Sequence, residues 1–146
     1  MTFLLDTNVI SEVRKGARCD VNVATWYAAI DPQDLYLSVL TLGEIRKGIE
    51  RAMQRDPARG QALERWFTDV QAAFANRLLA VDREIADNWG RMAALRTLPI
   101  VDGLLAATAK VHGLTLATRN VSDVAGLGAM VVNPFEPLEG VGNGRK

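Results

Sequence analysis

The sequence contains very few of the residues that build zinc sites and disulfides. Its 146 residues include one cysteine, Cys19, and one histidine, His112. A zinc site rich in His or Cys, or a Cys–His catalytic pair, would have to use both of them. A single cysteine cannot form an internal disulfide, so a reducing cytoplasm is the expected compartment. If the chain binds a metal, we therefore expect its ligands to be oxygen atoms.

Net charge and long apolar runs are absent as well. The 17 basic and 17 acidic residues give a formal charge of zero, so any surface for nucleic acid must be local. No apolar run approaches a membrane span, and Asp6 follows a start without a basic leader, which does not fit a secretory signal. With 49% hydrophobic residues, we expect one globular domain over 1–138 and no membrane partner. The glycine-rich segment 139–146 is expected to be a disordered tail.

Strand and helix patterns alternate along the chain. Apolar runs predict strands near 2–6, 35–40, 78–81, 114–118 and 130–132. Helical periodicity predicts helices over 8–15, 21–30, 42–55, 58–76, 83–96 and 100–112. This alternation predicts an α/β fold with a mainly parallel sheet and helices on both faces. His112 is interpreted as the last residue of its helix, because Gly113 follows in the usual left-handed cap position.

Four acidic residues stand where a predicted strand ends or a predicted helix begins. They are Asp6, Glu44, Asp102 and Asp123. In open α/β sheets the functional crevice lies outside the carboxyl ends of the strands, so acids far apart in sequence can meet there. We therefore consider these four residues a candidate carboxylate site for a divalent metal.

Each acid also has an ordinary structural explanation. Asp6 can cap the helix that follows it, and Asp102 can stabilise a helix from its first turn. Glu44 can form a capping box with Thr41, and Asp123 can be a turn residue. From the residues alone, both interpretations stay open for each acid.

Four segments of the sequence closely resemble the motifs of PIN-domain ribonucleases of the VapC toxin type, in family order and with family spacing. These segments are LLDTNVI at 4–10, LSVLTLGEI at 37–45, DGLLAATA at 102–109 and ATRNVSD at 117–123. The resemblance implies a PIN-like α/β/α sandwich with a central, mainly parallel sheet flanked by helices. Gly103 stands where alanine is frequent, and Val124 where an aromatic is common. Neither departure removes an acid.

The resemblance also implies an activity. In the family, the acids equivalent to Asp6, Glu44, Asp102 and Asp123 bind Mg²⁺ or Mn²⁺ and support RNA cleavage. The chain would then be a metal-dependent endoribonuclease, the toxin of a toxin-antitoxin pair, with an antitoxin partner and a homodimeric state. We expect Asp6 and Asp102 to hold the principal metal, Glu44 to orient or deprotonate water, and Asp123 to complete the shell or a second site. Direct attack by water predicts products with 5′-phosphate and 3′-hydroxyl ends.

A row of basic residues on the helix after Glu44 offers a route for the substrate. Lys47, Arg51 and Arg55 are spaced at four residues and share one face of that helix. They can guide RNA phosphates toward the acids, or they can form an ordinary solvated face. Both interpretations stay open at this stage.

Two other functions are compatible with parts of the sequence. A phosphatase of the haloacid-dehalogenase type also begins with a strand ending in Asp, but it needs a second Asp two residues later, where Asn8 stands. A noncatalytic interaction domain would use only its helices to bind partners. Trp26, Trp66 and Phe67 could supply apolar contacts to an antitoxin, although the core is the usual place for such side chains.

Overall fold

A five-stranded parallel sheet forms the centre of the computed structural model, which describes residues 1–137. The predicted tail at 139–146 lies outside the described residues. The strands are β1 Phe3–Leu5, β2 Leu35–Ser38, β3 Leu78–Leu79, β4 Thr115–Ala117 and β5 Met130–Val132. Their order in the sheet is β3-β2-β1-β4-β5, and every neighbouring pair is parallel. The predicted fold class is confirmed.

Helices connect the strands, as parallel pairing requires. They are α1 Thr7–Val13, α2 Val21–Ala28, α3 Val39–Arg55, α4 Pro57–Ala73, α5 Arg83–Leu95, α6 Ile100–His112 and α7 Val121–Val124. The one-turn helix α7 was not predicted by the periodicity. Across residues 1–137, none of the helices combines the length and the apolar character needed to cross a membrane.

Alternate residues of the central strands pack on opposite faces of the sheet. Phe3 and Leu5 belong to a core made with α1 to α4, whereas Leu4 belongs to a second core made with α5, α6 and α7. Trp26 and Phe67 are buried in the first core, and Trp26 packs edge-on against Phe3 with ring centroids 5.0 Å apart. These two aromatic side chains therefore have the core role and are not available to an antitoxin.

The boundary between β2 and α3 differs from the sequence prediction. The strand ends at Ser38 rather than at residue 40, and α3 begins at Val39 rather than at residue 42. Ser38 is the N-cap, because its Oγ accepts a hydrogen bond of 3.0 Å from the Leu40 amide. The alternative that Thr41 and Glu44 form a capping box is therefore wrong, since both residues lie inside the helix.

Two glycines show why α6 lies where it does. A Cβ on Gly103 would come within 3.0 Å of Cδ1 of Trp89 and 3.2 Å of a Leu98 methyl, so the missing side chain lets α5 pack closely against the first turn of α6. Gly113 ends the helix with φ +67° directly after His112, which confirms the interpretation of that histidine. The first turn of α6, which carries Asp102, is thereby fixed against its neighbours.

Candidate active site

Three of the four predicted acids line one cavity at the carboxyl edge of the sheet. Asp6 follows β1, Glu44 lies in the second turn of α3, and Asp102 lies in the first turn of α6. The sheet order reverses between β1 and β4, which places the cavity at the switch point where α/β proteins bind ligands. The topology therefore brings together acids that are distant in sequence.

Asp6 is buried and is held on both carboxylate oxygens. Thr118 donates its hydroxyl to Oδ2 at 2.6 Å, and the amide of Asn8 donates to the same oxygen at 3.2 Å. The Thr7 amide donates to Oδ1 at 2.6 Å, so Asp6 also caps α1. Asp6 therefore caps α1 and lines the cavity in the same conformation.

The environment of Asp6 disfavours its charge. Burial raises the pKa of the Asp6 carboxyl, and the nearby Glu44 carboxylate adds to the effect. The hydrogen bonds from Thr118, Thr7 and Asn8 lower the pKa but do not cancel the effect of burial. These donors stabilise a carboxylate that the surrounding protein would otherwise tend to protonate.

Thr7 links two of the acids. Its amide contacts Asp6, and its hydroxyl donates to Oε1 of Glu44 at 2.5 Å. This contact fixes one carboxylate oxygen of Glu44. The residues that position the acids, Thr7, Asn8 and Thr118, were not identified as functional from the sequence. Their only local signal is that they are polar residues directly after strand ends.

Asp102 is the acid with the least support from neighbouring donors. Its carboxylate accepts no hydrogen bond from the residues in 1–137, although it lies in the shared cavity. Burial raises its pKa to about 6, and the carboxylates of Asp6, Asp123 and Glu44 contribute in that order. At neutral pH the ionised group would be repelled by its neighbours, which favours a bound cation.

Asp123 lies at the margin of the site. It is exposed in α7, and it does not line the cavity that the other three acids share. It is nevertheless close enough to raise the pKa of Asp102. Arg96 donates to the backbone carbonyls of Asp123 and Ala125 at 2.8 Å, which anchors the C-terminal part of α7.

The donor set suits a hard divalent cation that keeps part of its water shell. Within the described residues, no three side chains of His, Cys, Asp or Glu are arranged to hold an ion together. Mg²⁺ is usually bound through one or two carboxylates plus waters and substrate phosphates, so a cavity lined by Asp6, Glu44 and Asp102 fits it without a closed cage.

Basic side chains reach the same cavity. Lys47 and Arg51 of α3 are exposed and line it beside the acids, whereas Arg55 does not. Neither Lys47 nor Arg51 forms an ion pair with an acid in residues 1–137.

Asn8 bears on the phosphatase alternative. It stands where that mechanism needs a second acid, and its side-chain amide donates a hydrogen bond to Asp6.

Comparisons with known proteins agree with this architecture. The PIN domain family matches residues 3–122. The VapC ribonuclease Y4jK of Sinorhizobium fredii is 36% identical over 139 residues, covering 92% of this chain and 98% of that protein. The crystal structure of FitAcB from Neisseria gonorrhoeae matches with a TM-score of 0.83 and 33% identity, covering 92% of this chain and 99% of that one. A toxin-antitoxin complex from Klebsiella pneumoniae matches with a TM-score of 0.66 and 27% identity, covering 94% and 100%. The chain belongs to the PIN-domain family and is a VapC-type member of it.

Proposed function

We propose that the protein is a metal-dependent endoribonuclease and the toxin of a toxin-antitoxin pair. The observation that carries this proposal is the convergence of Asp6, Glu44 and Asp102 on one cavity, where burial and then the neighbouring carboxylates raise the pKa of Asp102 to about 6. The similarity to a protein named as a VapC ribonuclease supports the nuclease activity.

Each acid has a role that follows from its surroundings. Asp6 is fixed by three donors and would present a rigid ligand, while Asp102 has a carboxylate free to bind. Asp123 would complete the coordination shell or a second site from the margin. Bound Mg²⁺, or Mn²⁺ in its place, would lower the pKa of a water ligand and neutralise charge on the phosphoryl oxygens.

Glu44 is suited to orient the attacking water and accept its proton. Thr7 holds one carboxylate oxygen of Glu44, which leaves the other free to face the cavity. Attack by water on phosphorus breaks the bond to the 3′ oxygen, so the products carry 5′-phosphate and 3′-hydroxyl ends. The RNA 2′-hydroxyl takes no part as a nucleophile.

The partners follow from the same relationships. The substrate is RNA, and the regulatory partner is a cognate antitoxin, as in the structurally similar toxin-antitoxin complex from Klebsiella pneumoniae. We also propose that the protein acts as a homodimer in the cytoplasm.

The direct test is cleavage of mixed RNA by the purified protein with Mg²⁺, Mn²⁺ or a chelator. We expect cleavage with either ion and no cleavage with the chelator. The variants Asp102→Asn and Asp6→Asn should not cleave RNA, although their circular dichroism spectra should match that of the parent protein. End analysis should find 5′-phosphates. Cyclic phosphate ends, or full activity in either Asn variant, would reject the mechanism.

A second variant tests the role of Glu44. Glu44→Gln keeps an oxygen that can accept from Thr7, but it removes the charge and the base. We expect lost turnover with unchanged helix content. Turnover equal to that of the parent protein would remove Glu44 from the catalytic group.

A further inference from the structure

A second groove, formed by α1, α3 and α4, opens beside the candidate active site. It shares Thr7, Ser11, Glu44 and Gly48 with the acidic cavity, so the two spaces are continuous. The groove has a volume of about 210 Å³, far above the roughly 10 to 15 Å³ that a cavity needs on this measure to hold one water molecule. It can therefore receive a chemical group and not water alone. We call it the α1–α3–α4 groove; its outer part is lined by Arg14, Ala52, Arg59, Leu63 and Trp66.

Two arginines in this groove have no acidic partner. Within residues 1–137, neither Arg14 nor Arg59 lies in an ion pair. Arg46 on the neighbouring α3 shows the contrast, because it pairs with Glu64 at 2.8 Å and Glu50 at 3.1 Å. Burial lowers the pKa of Arg14, the positive charges of Arg59 and Arg18 lower it further, and the Glu12 carboxylate offsets only part of this effect. Two neighbouring like charges that form no ion pair favour an anionic ligand.

An aromatic ring lies next to these charges. Trp66 is half-buried, and the Arg14 guanidinium carbon is 5.9 Å from its ring centroid. Leu63 lines the groove one turn before Trp66 on α4. An apolar ring beside paired cations is the combination that binds single-stranded nucleic acid, where bases stack and phosphates meet positive charge.

The basic residues extend from one space into the other. Lys47 and Arg51 line the acidic cavity, and Arg14 and Arg59 line the groove that continues from it. None of these four cations has an ion pair among the described residues. At Gly48, between the two spaces, nothing lies within 4 Å of where a Cβ would stand. Cations without ion pairs in two adjoining spaces suit a ligand that carries several anionic groups.

We propose that the α1–α3–α4 groove is a subsite for the single-stranded RNA segment that flanks the scissile phosphodiester, with a base on Trp66 and phosphates on Arg14 and Arg59. This proposal rests on the proposed function in one respect, because it assumes that the scissile bond lies at the acids. Arg14 and Arg59 bind and position the strand, and they do not take part in the bond cleavage.

The test is a salt series of binding measurements on the full chain, using a short fluorescein-labelled single-stranded RNA of mixed sequence and an Asp102→Asn background that prevents cleavage. Arg14→Gln with Arg59→Gln should weaken binding about tenfold or more at low salt and reduce the slope of log affinity against log salt by roughly one to two. The control is Arg65→Gln with Arg83→Gln, which removes the same charge from exposed positions outside the groove. It should stay within about twofold of the parent.

Trp66 is tested by a matched pair of substitutions. Trp66→Leu should weaken binding about fivefold or more while leaving the salt slope unchanged, because stacking releases no counterions. Trp66→Phe keeps a ring and should restore most of the affinity. Thermal melting monitored by circular dichroism identifies any variant that has lost its fold. If a Trp66 variant does not fold, binding by the Arg14→Gln, Arg59→Gln double variant decides whether the groove binds RNA.

The possible outcomes separate the subsite from the proposed function. Weakened binding by the groove variants, in a parent protein that cleaves no RNA, keeps the subsite and rejects the nuclease. Normal cleavage and binding by the groove variants rejects the subsite and keeps the nuclease. Unchanged RNA affinity with a change from dimer to monomer would assign the groove to an interface between two copies, and it would overturn the proposal. A parent protein that binds no RNA would also overturn it.

Discussion

At the scale of single residues, the site depends on groups that hold the acids as much as on the acids themselves. Asp6 could be proposed from the sequence because it directly follows a strand, and motif resemblance supported it. Its strongest hydrogen-bonding partner, Thr118, comes 112 residues later and meets it only because β1 and β4 are neighbours in the sheet. Local sequence patterns carry no information about such a contact.

The Thr118 hydroxyl provides the first prediction. Thr118→Val keeps the shape but removes the bonds from Thr118 to Asp6 and to the Asn120 amide. We expect the free energy of unfolding to fall by about 1 to 3 kcal/mol, as for a lost buried bond to a charged group. The pKa of Asp6 should rise further, because this hydroxyl is the largest of the influences that lower it.

Urea denaturation at neutral pH measures the change, and Thr108→Val is the matched control. Thr108 is also buried, but its hydroxyl bonds to the Leu104 carbonyl inside α6. RNA cleavage should fall in Thr118→Val and persist in Thr108→Val. Equal cleavage by the two variants would show that Asp6 does not need this donor.

At the scale of elements, the sequence predicted which strands and longer helices form but misplaced one important boundary. Ser38 and Thr41 are both good helix N-caps, and the apolar run through Leu40 suits a strand. Pairing in the sheet decides where the strand ends, because β3 has only two residues that pair with β2. The second of these pairs joins Ser38 to Leu79. The helix then begins at Val39, directly after the strand. Glu44 therefore lies in the second turn of α3 instead of in the first turn, where a helix starting at residue 42 would have placed it.

This shift leaves Thr41 in an unfavourable position and provides the second prediction. Its hydroxyl is buried, and it has no hydrogen-bond partner among the described residues. Thr41→Val replaces the unpartnered oxygen with a methyl group of similar size, at nearly the same helix propensity. We expect the free energy of unfolding to rise by about 1 kcal/mol. Urea denaturation should show a higher midpoint with an unchanged slope, and a lower midpoint would mean that the hydroxyl has a partner in solution.

The basic face of α3 provides the third prediction. If Lys47 and Arg51 contact RNA phosphates, replacing both with Gln should weaken RNA binding and reduce the salt slope by roughly one to two. Both side chains are exposed, so the free energy of unfolding should change by no more than about 0.5 kcal/mol per substitution. Binding is measured on an Asp102→Asn background.

Arg55→Gln with Arg65→Gln is the control for that experiment. Arg55 continues the row on α3 but does not line the acidic cavity, and Arg65 is exposed on α4. A salt slope that falls equally in both double variants would assign Lys47 and Arg51 to a solvated face.

At the scale of the whole molecule, the strand order determines which acids meet. The ends of β1 and β2 and the start of α6 bring Asp6, Glu44 and Asp102 to one cavity, as the motifs predicted. Asp123 was expected among them, but the one-turn helix α7 leaves it exposed at the margin. A four-residue helix gives too little periodicity to be recognised in sequence, so its orientation could not be predicted.

The crowded acids couple the stability of the whole protein to pH and provide the last prediction. Burial and neighbouring carboxylates raise the pKa of Asp102 to about 6, and burial raises that of Asp6. A carboxyl group whose pKa is higher in the folded state favours folding when protonated. In the presence of chelator, its contribution to stability is complete below about pH 4 and is lost as pH rises through about 6. Asp102 is only partly buried, so solvent screening limits the loss to about 1 kcal/mol.

Thermal melting with chelator, from pH 4 to 8, should therefore show the parent protein losing stability across this range relative to Asp102→Asn. The exposed Asp87, which pairs with Arg91 on α5, gives the control Asp87→Asn, whose pH dependence should follow the parent. Adding Mg²⁺ or Mn²⁺ should raise the melting temperature of the parent more at pH 7.5 than at pH 5, because only ionised carboxylates bind the cation and binding stabilises the folded state. Asp102→Asn should respond weakly at both values. If the ions raise the melting temperature equally in the parent protein and in Asp102→Asn, Asp102 is not a ligand, and the principal metal site must lie elsewhere among the acids.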